Sequence, residues 1–200
     1  MKLVAGPAHA WLPLVLGIAA LLCLGTSQAR SAEPPTDSVY RLDIPLVDQD
    51  GQGRHLADRR GRPLVVGMFY TSCHSVCPLI VDTMLATERA ISAKHAGGID
   101  VLLVSFDAEH DDPLALKRIV DSRRLATPRW TLARTEPAGV RKLAAVLGIR
   151  YRVLSDGGFN HSSALILLDA EGRIAARTET SGSTDPAFIA AIETVLDPPK

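Results

Sequence analysis

Cys73 and Cys77, separated by His74-Ser75-Val76, are the residues of this chain best suited to chemistry. A thiolate is both a nucleophile and a soft metal ligand. The spacing is one residue wider than the redox Cys-x-x-Cys pair. The wider loop can turn two sulfurs toward one point, which favours Cu(I), although zinc also accepts sulfur. Two sulfurs leave such an ion short of ligands, and an imidazole is the natural third. The sequence offers 6 histidines as candidates. Two plainer readings stand beside metal binding. One is a structural disulfide, which would close a small loop and stabilise little. The other is a pair used only for thiol–disulfide exchange.

Composition narrows the classes around that pair. Lys+Arg and Asp+Glu are 22 each, so the chain carries no net charge. A nucleic-acid binder or a polybasic membrane-surface protein would show a basic excess. With 46% hydrophobic and 22% charged residues, the chain is globular in composition rather than disordered. Only 3 cysteines are present, too few for a disulfide-stapled scaffold. The chain must fold on an apolar core.

Residues 1–29 read as a signal peptide. Lys2 gives a positive start, Trp11 to Leu24 is largely apolar, and Ser27-Gln28-Ala29 offers a small-residue cleavage site. The apolar run falls short of the roughly 20 residues a spanning helix needs. An uncleaved N-terminal anchor is the alternative. Leu22 is too bulky to make Cys23 a lipidation site, so Cys23 belongs to the apolar region. Cleavage would remove Lys2 and Cys23, leaving both remaining thiols in one motif and the charge one unit negative. A partner would then be recognised by local shape and ligand exchange rather than by a strong overall field. Export implies an oxidising compartment, in which a thiol pair is oxidised or kept reduced by a dedicated partner.

Residues 30–38, with Pro34-Pro35, read as a flexible tether, and 39–200 as a single domain. Residues 44–47 and 54–56 flank an Asp50-Gly51 turn and form a short hairpin. The run LVVGMFY, 64–70, is a buried strand. Pro78 opens a helix, as its first residue, that runs to about Lys94, with Ile80, Met84 and Ile91 on its apolar face. DVLLVSF, 100–106, is a second buried strand. Asp112-Pro113 caps a helix to about Arg123. Residues 130–133 form a short strand that places Trp130 in the core. Thr135-Glu136-Pro137 opens a helix closed by Gly148. Residues 164–169 and 174–177 form a hairpin, and Thr184-Asp185-Pro186 starts a last helix ending near Leu196. This alternation is α/β: a thioredoxin-like three-layer sandwich with a mixed central sheet and an N-terminal β-hairpin extension. In that arrangement the thiols sit where a strand meets a helix, whose N-terminus lowers thiol pKa. The loop Gly157-Gly158-Phe159-Asn160-His161 then lies beside them. A thioredoxin reductant has a cis-proline there, and this chain has no proline between Pro137 and Pro186. The exchange of proline for a histidine favours metal binding through His161. His55, His95 and His110 are expected at the surface, and His9 in the leader. Asp107 and Asp111 lie in the loop after a strand, a common place for capping and solvated carboxylates.

From about Tyr40 to Leu196 the chain resembles the Sco/SenC family of copper-binding, thioredoxin-fold proteins. These serve assembly of the dinuclear copper centre in cytochrome c oxidase subunit II. The matching segments are Phe69-Tyr70-Thr71-Ser72-Cys73 through Cys77-Pro78, Ser105-Phe106-Asp107 with Asp111-Asp112-Pro113, and His161-Ser162-Ser163-Ala164 before a strand ending at Asp169. The resemblance implies copper ligands at Cys73, Cys77 and His161, for Cu(I) with Cu(II) left open. It also implies that Asp107 and Asp111 lie near the copper. His74 departs from the family, which has proline there. A loop without that proline is expected to be more flexible, with the imidazole altering the pKa of Cys73. The implied function is that of an exported, periplasmic copper chaperone rather than an enzyme. Its partners would be a copper acceptor, cytochrome c oxidase subunit II, and a copper donor or thiol reductant. An uncleaved leader would anchor it to the inner membrane. The alternative is a thiol–disulfide reductant, with Cys73 and Cys77 as the redox pair, that keeps an acceptor's cysteines reduced.

Overall fold

The two continuous apolar runs become neighbouring parallel strands, β3 (Leu64–Phe69) and β4 (Asp100–Ser105). Only a strand covered on both faces hides an unbroken apolar sequence, and every residue of β3 is buried. In the computed structural model these strands lead a seven-stranded mixed sheet of order β2-β1-β5-β4-β3-β8-β9. β5 (Trp130–Arg134) runs parallel to β4, whereas β8 (Leu165–Leu168) runs antiparallel to β3. The hairpin of β1 (Pro45–Asp48) and β2 (Gly53–His55) extends one edge, antiparallel to β5, and β9 (Ile174–Thr178) closes the other. The structure describes Lys2 and residues 33–73, 76–92, 95 and 98–197.

Alternation along the strands sorts the core into two layers. Val65, Val101, Leu103, Trp130 and Leu132 face α1 (Val76–Ser92), α2 (Pro113–Arg123) and α4 (Pro186–Leu196). Val66, Met68, Leu102 and Val104 face α3 (Pro137–Val146) and the N-terminal residues Val39, Tyr40 and Leu56. This is the three-layer α/β sandwich that the sequence pattern predicts. Gly67 is the one small residue of β3. A Cβ there would stand 3.0 Å from Leu103 Cδ2 and 3.1 Å from Leu165 Cδ2, so its absence lets the neighbouring strands' side chains meet over it.

Helix starts follow the capping pattern. Asp112 accepts from the Ala115 amide at 2.7 Å, and Asp185 accepts from the Ala187 amide at 2.9 Å. Pro113, Pro137 and Pro186 follow their caps, where a missing N–H costs nothing. α1 differs from expectation. It begins at Val76, so Pro78 lies within the first turn and Cys77 is already helical. Proline is tolerated there because the first-turn amides have no partner within the helix. A second departure is a separate two-stranded ribbon, β6 (Tyr151–Val153) with β7 (Phe159–His161), where a plain loop was expected.

The chain divides into two compact units, Met1–Glu33 and Pro34–Lys200. Apart from Lys2, the leader or anchor, with Cys23 and His9, lies outside the described residues, as do residues 30–32 of the expected tether. The last residues of that tether are bonded to the domain. Ser38 is buried, its hydroxyl donates to the Glu171 carbonyl at 2.5 Å, and the next amide, Val39, donates to the Gly172 carbonyl at 2.9 Å.

Candidate metal centre

Strand directions bring the site together. β3 leads into the cysteine loop at its C-terminal end. Because β8 is antiparallel to β3, with Gly67 opposite Leu165, the start of β8 lies at that same end. His161, four residues before β8, is therefore delivered to the cysteines from a distant part of the sequence. Ligand sites of open α/β sheets gather at this end of the parallel strands.

Cys73 is half-buried and Cys77 only 4% exposed, and both are free thiols. The Cys77 amide, in the first turn of α1, donates to Cys73 Sγ at 3.4 Å. Cys77 Sγ lies 3.9 Å from His161 Nε2. Two ligand atoms on one trigonal or tetrahedral metal, at roughly 2.3 Å for sulfur and 2.0 Å for nitrogen, stand about 3.5–3.7 Å apart. The Cys77–His161 separation nearly meets that requirement. Among the described residues no group of three His, Cys, Asp or Glu side chains is already closed around a metal position. His74 lies outside the described residues.

The His161 tautomer follows from its surroundings. Nδ1 is 3.2 Å from the Ser162 carbonyl, which can only accept, so Nδ1 carries the proton and Nε2 offers its lone pair toward Cys77. Burial holds the imidazole below the ordinary histidine value, which keeps it neutral. Phe106 packs against it with ring centroids 4.8 Å apart, and Tyr70 lies edge-on at 6.0 Å. Tyr70 also meets Phe159 edge-on at 5.1 Å. The ribbon places His161 opposite Tyr151 and on the inner, aromatic face. Arg152 and Asn160 pair on the other face.

The helix N-terminus does not lower the Cys77 thiol as the sequence suggests. Burial dominates and pushes it well above the usual cysteine range, so without a metal Cys77 is a protonated thiol. A small recess of about 80 Å³ adjoins the pair, walled by Phe69, Tyr70, Pro78, Val81 and Ile119.

The two loop aspartates separate in role. Asp107 accepts from His110 Nδ1 at 2.8 Å at the rim of the site. Asp111 is 1% exposed and turned inward to the loop before Cys73, not to solvent. His55 and His110 are exposed as expected, but His95 has a side chain only 15% exposed, 3.8 Å from Asp197. Tyr70, Phe106 and Phe159 enclose the site beyond the residues expected from the sequence. Their signal was present: Tyr151 to Val153 and Phe159 to His161 alternate about an Asp156-Gly157 turn, with Gly157 at a positive φ of 81°.

His110 gives a direct electrostatic test. The Asp107 hydrogen bond and charge, with Glu109 and Asp111 behind it, hold its pKa above the ordinary value. A raised folded-state value means that the pair's contribution to stability is present below the unfolded-state pKa and fades as pH rises through the folded one. An NMR titration should show the His110 midpoint falling in Asp107→Asn. Equal midpoints in wild type and variant would contradict the pairing.

Residues 33–197 match the model of the SCO1/SenC family. The chain belongs to the SCO1/SenC family. Among curated SCO relatives, the human mitochondrial protein SCO2 homolog is 28% identical over 178 residues, covering 84% of this chain. The chain spans only 63% of that relative's length. SCO1/SenC folds recur among solved structures. BsSco, described as having a disulfide switch and as a member of the Sco family of cytochrome c oxidase assembly proteins, superposes with a TM-score of 0.68 at 17% identity, over 84% of this chain and 98% of its own. Arabidopsis thaliana ScoI, solved with copper bound, gives 0.66 at 16% identity, over 76% and 98%. These two likenesses establish the shared thioredoxin-like fold.

Proposed function

We propose that this chain is an exported copper carrier that loads a copper-accepting protein, the dinuclear copper centre of cytochrome c oxidase subunit II. The observation that carries the reading is the approach of Cys77 Sγ to a neutral His161 Nε2 at 3.9 Å, with Cys73 Sγ on the Cys77 amide at 3.4 Å. Copper-bound relatives and an oxidase-assembly relative support it. Copper is the cargo here. Cys73 and Cys77 bind Cu(I) as thiolates and His161 as a neutral third ligand, a soft set suited to Cu(I) over harder ions. Binding displaces the Cys77 proton, and Cys73, the more exposed sulfur, swings toward the Cys77–His161 pair to close the set. A three-coordinate ion leaves room for an acceptor ligand to enter before a donor ligand leaves. The leader delivers the domain to the periplasm, where it is free or, if uncleaved, tethered to the inner membrane.

Titration of the anaerobically reduced domain with Cu(I) should end at one copper per chain, with neither Mg²⁺ nor Ca²⁺ competing. Full binding retained in each of Cys73→Ser, Cys77→Ser and His161→Ala would overturn the reading.

One feature also favours a thiol–disulfide reductant. The half-exposed Cys73 accepts a helix-start amide while Cys77 is buried, the asymmetry of an attacking and a resolving thiol. Cys73 thiolate would attack an acceptor disulfide, breaking its S–S bond and releasing one acceptor thiolate. Deprotonated Cys77 would then attack Cys73 Sγ and release the second. The acceptor gains two electrons and this chain ends as the Cys73–Cys77 disulfide. Full acceptor reduction by His161→Ala, with copper loading weakened, would separate the two activities.

A further inference from the structure

Asp111 is almost wholly buried, and among the described residues its hydrogen bonds come from Thr71 and Ser105 rather than from a basic side chain. Its carboxylate spends both oxygens on one short stretch of chain. Oδ2 accepts from the Thr71 amide at 2.9 Å and Oδ1 from the Thr71 hydroxyl at 2.5 Å. The Ser105 hydroxyl, at the end of β4, also donates to Oδ2 and itself accepts from the Asp107 amide at 2.9 Å. Thr71 is the second residue of the turn in which the Cys73 amide donates to the Tyr70 carbonyl at 3.3 Å. The loops after β3 and β4 are further joined by the Phe106 amide on the Phe69 carbonyl at 2.7 Å.

We propose that Asp111 is the positioning residue of the metal centre, fixing the Thr71 turn so that Cys73 Sγ is held on the Cys77 amide, from where it closes on the Cys77–His161 pair. This rests on the copper reading above, and it assigns Asp111 a task inside the fold rather than at the metal or at a partner's surface. Cys73 is the ligand that needs such help. Cys77 is held by α1 and His161 by the ribbon and the Ser162 carbonyl, whereas Cys73 sits in the connecting loop. Each Thr71 donor meets a different oxygen, so only a carboxylate satisfies both without rearrangement. An asparagine loses the charge, and with its oxygen on the Thr71 amide its nitrogen only donates, so the Thr71 hydroxyl must turn from donor to acceptor. The chemistry is that of an outer-shell group on a metal ligand, whose loss typically costs about 10–100-fold in metal affinity.

The test compares four variants of the reduced domain, read by competition for Cu(I) with the chelator bicinchoninate and by the reduction potential of the Cys73–Cys77 couple. Asp111→Asn should weaken Cu(I) binding about 10–100-fold and shift the potential. Thr71→Val, which removes one donor and keeps the shape, should move both in the same direction, and Thr71→Ser should restore them. Asp112→Ala removes only the cap of α2, so it should lower the melting temperature and leave affinity and potential in place. Wild-type affinity and potential in both Asp111→Asn and Thr71→Val would overturn the proposal, as would an equal loss in Asp112→Ala. If Asp111→Asn fails to fold, the Thr71 pair decides. A wild-type domain that takes up no Cu(I) would instead defeat the copper reading, and the dithiol potential would still report on the positioning.

Discussion

Cys77→Ser is expected to abolish stoichiometric Cu(I) binding by the reduced protein. The substitution is nearly isosteric, so the fold is retained. What is lost is the soft, ionisable atom. Cys77 Sγ is the sulfur already placed 3.9 Å from His161 Nε2, and it lies 4% exposed beneath the loop. A serine oxygen is a hard ligand that keeps its proton, and it does not replace a thiolate toward Cu(I). The penalty must exceed the roughly 10–100-fold that follows loss of a mere supporting partner. His161→Ala should be milder, because two thiolates remain and Cu(I) accepts low coordination. The expected order of damage is Cys77→Ser, then Cys73→Ser, then His161→Ala. Copper per chain after equilibration with a competing chelator, with circular dichroism as the check on folding, reads that order. Copper retention by Cys77→Ser at wild-type affinity would mean that the buried thiol serves redox chemistry alone.

The route from sequence to site was open where local chemistry and strand period agree. LVVGMF and DVLLVS can only be doubly covered strands, and the Asp-Pro starts of α2 and α4 appear where capping predicts them. The pair Cys73/Cys77 is visible from spacing alone. His161 needed the topology as well, because it meets Cys77 across 84 positions of sequence. Three features were hidden for different reasons. Ribbon β6–β7 is short and mostly solvent-facing, so its apolar alternation is weak. The Cys77 thiol stands at a helix start, which lowers a thiol pKa, yet it is buried, which raises it. Sequence reveals the first effect and only packing reveals that the second wins. Asp111 reads as one loop carboxylate among several. Its three donors come from Thr71 and Ser105, and their convergence exists only once β3 and β4 lie side by side.

Trp130→Ala should be the most destabilising single change, by about 3–5 kcal/mol. The indole is fully buried at the start of β5, among Val101, Leu103 and the α1 residues Met84 and Ile91. Its Nε1 donates to Glu88 Oε2 at 3.0 Å, and Arg129 Nη2 completes the cluster 2.7 Å from Glu88 Oε1. Truncation therefore opens a large cavity and takes a hydrogen bond from a carboxylate that is 8% exposed. Trp130→Phe divides the two contributions. It refills most of the volume but leaves Glu88 short of a donor, at a cost of about 1–3 kcal/mol. Against a total stability of roughly 5–15 kcal/mol, the alanine variant should be folded only under mild conditions. Urea unfolding should show a lower midpoint with an unchanged slope, and a loss below about 1 kcal/mol would rule out this cluster as a main support of the fold. Trp130 pairs with Val101 near the start of the parallel strands, whereas Cys73 and His161 stand beyond their far end. The same variant, kept well below its melting temperature, should still bind one Cu(I) per chain. Stability would then be lost at one end of the sheet while the metal chemistry persists at the other.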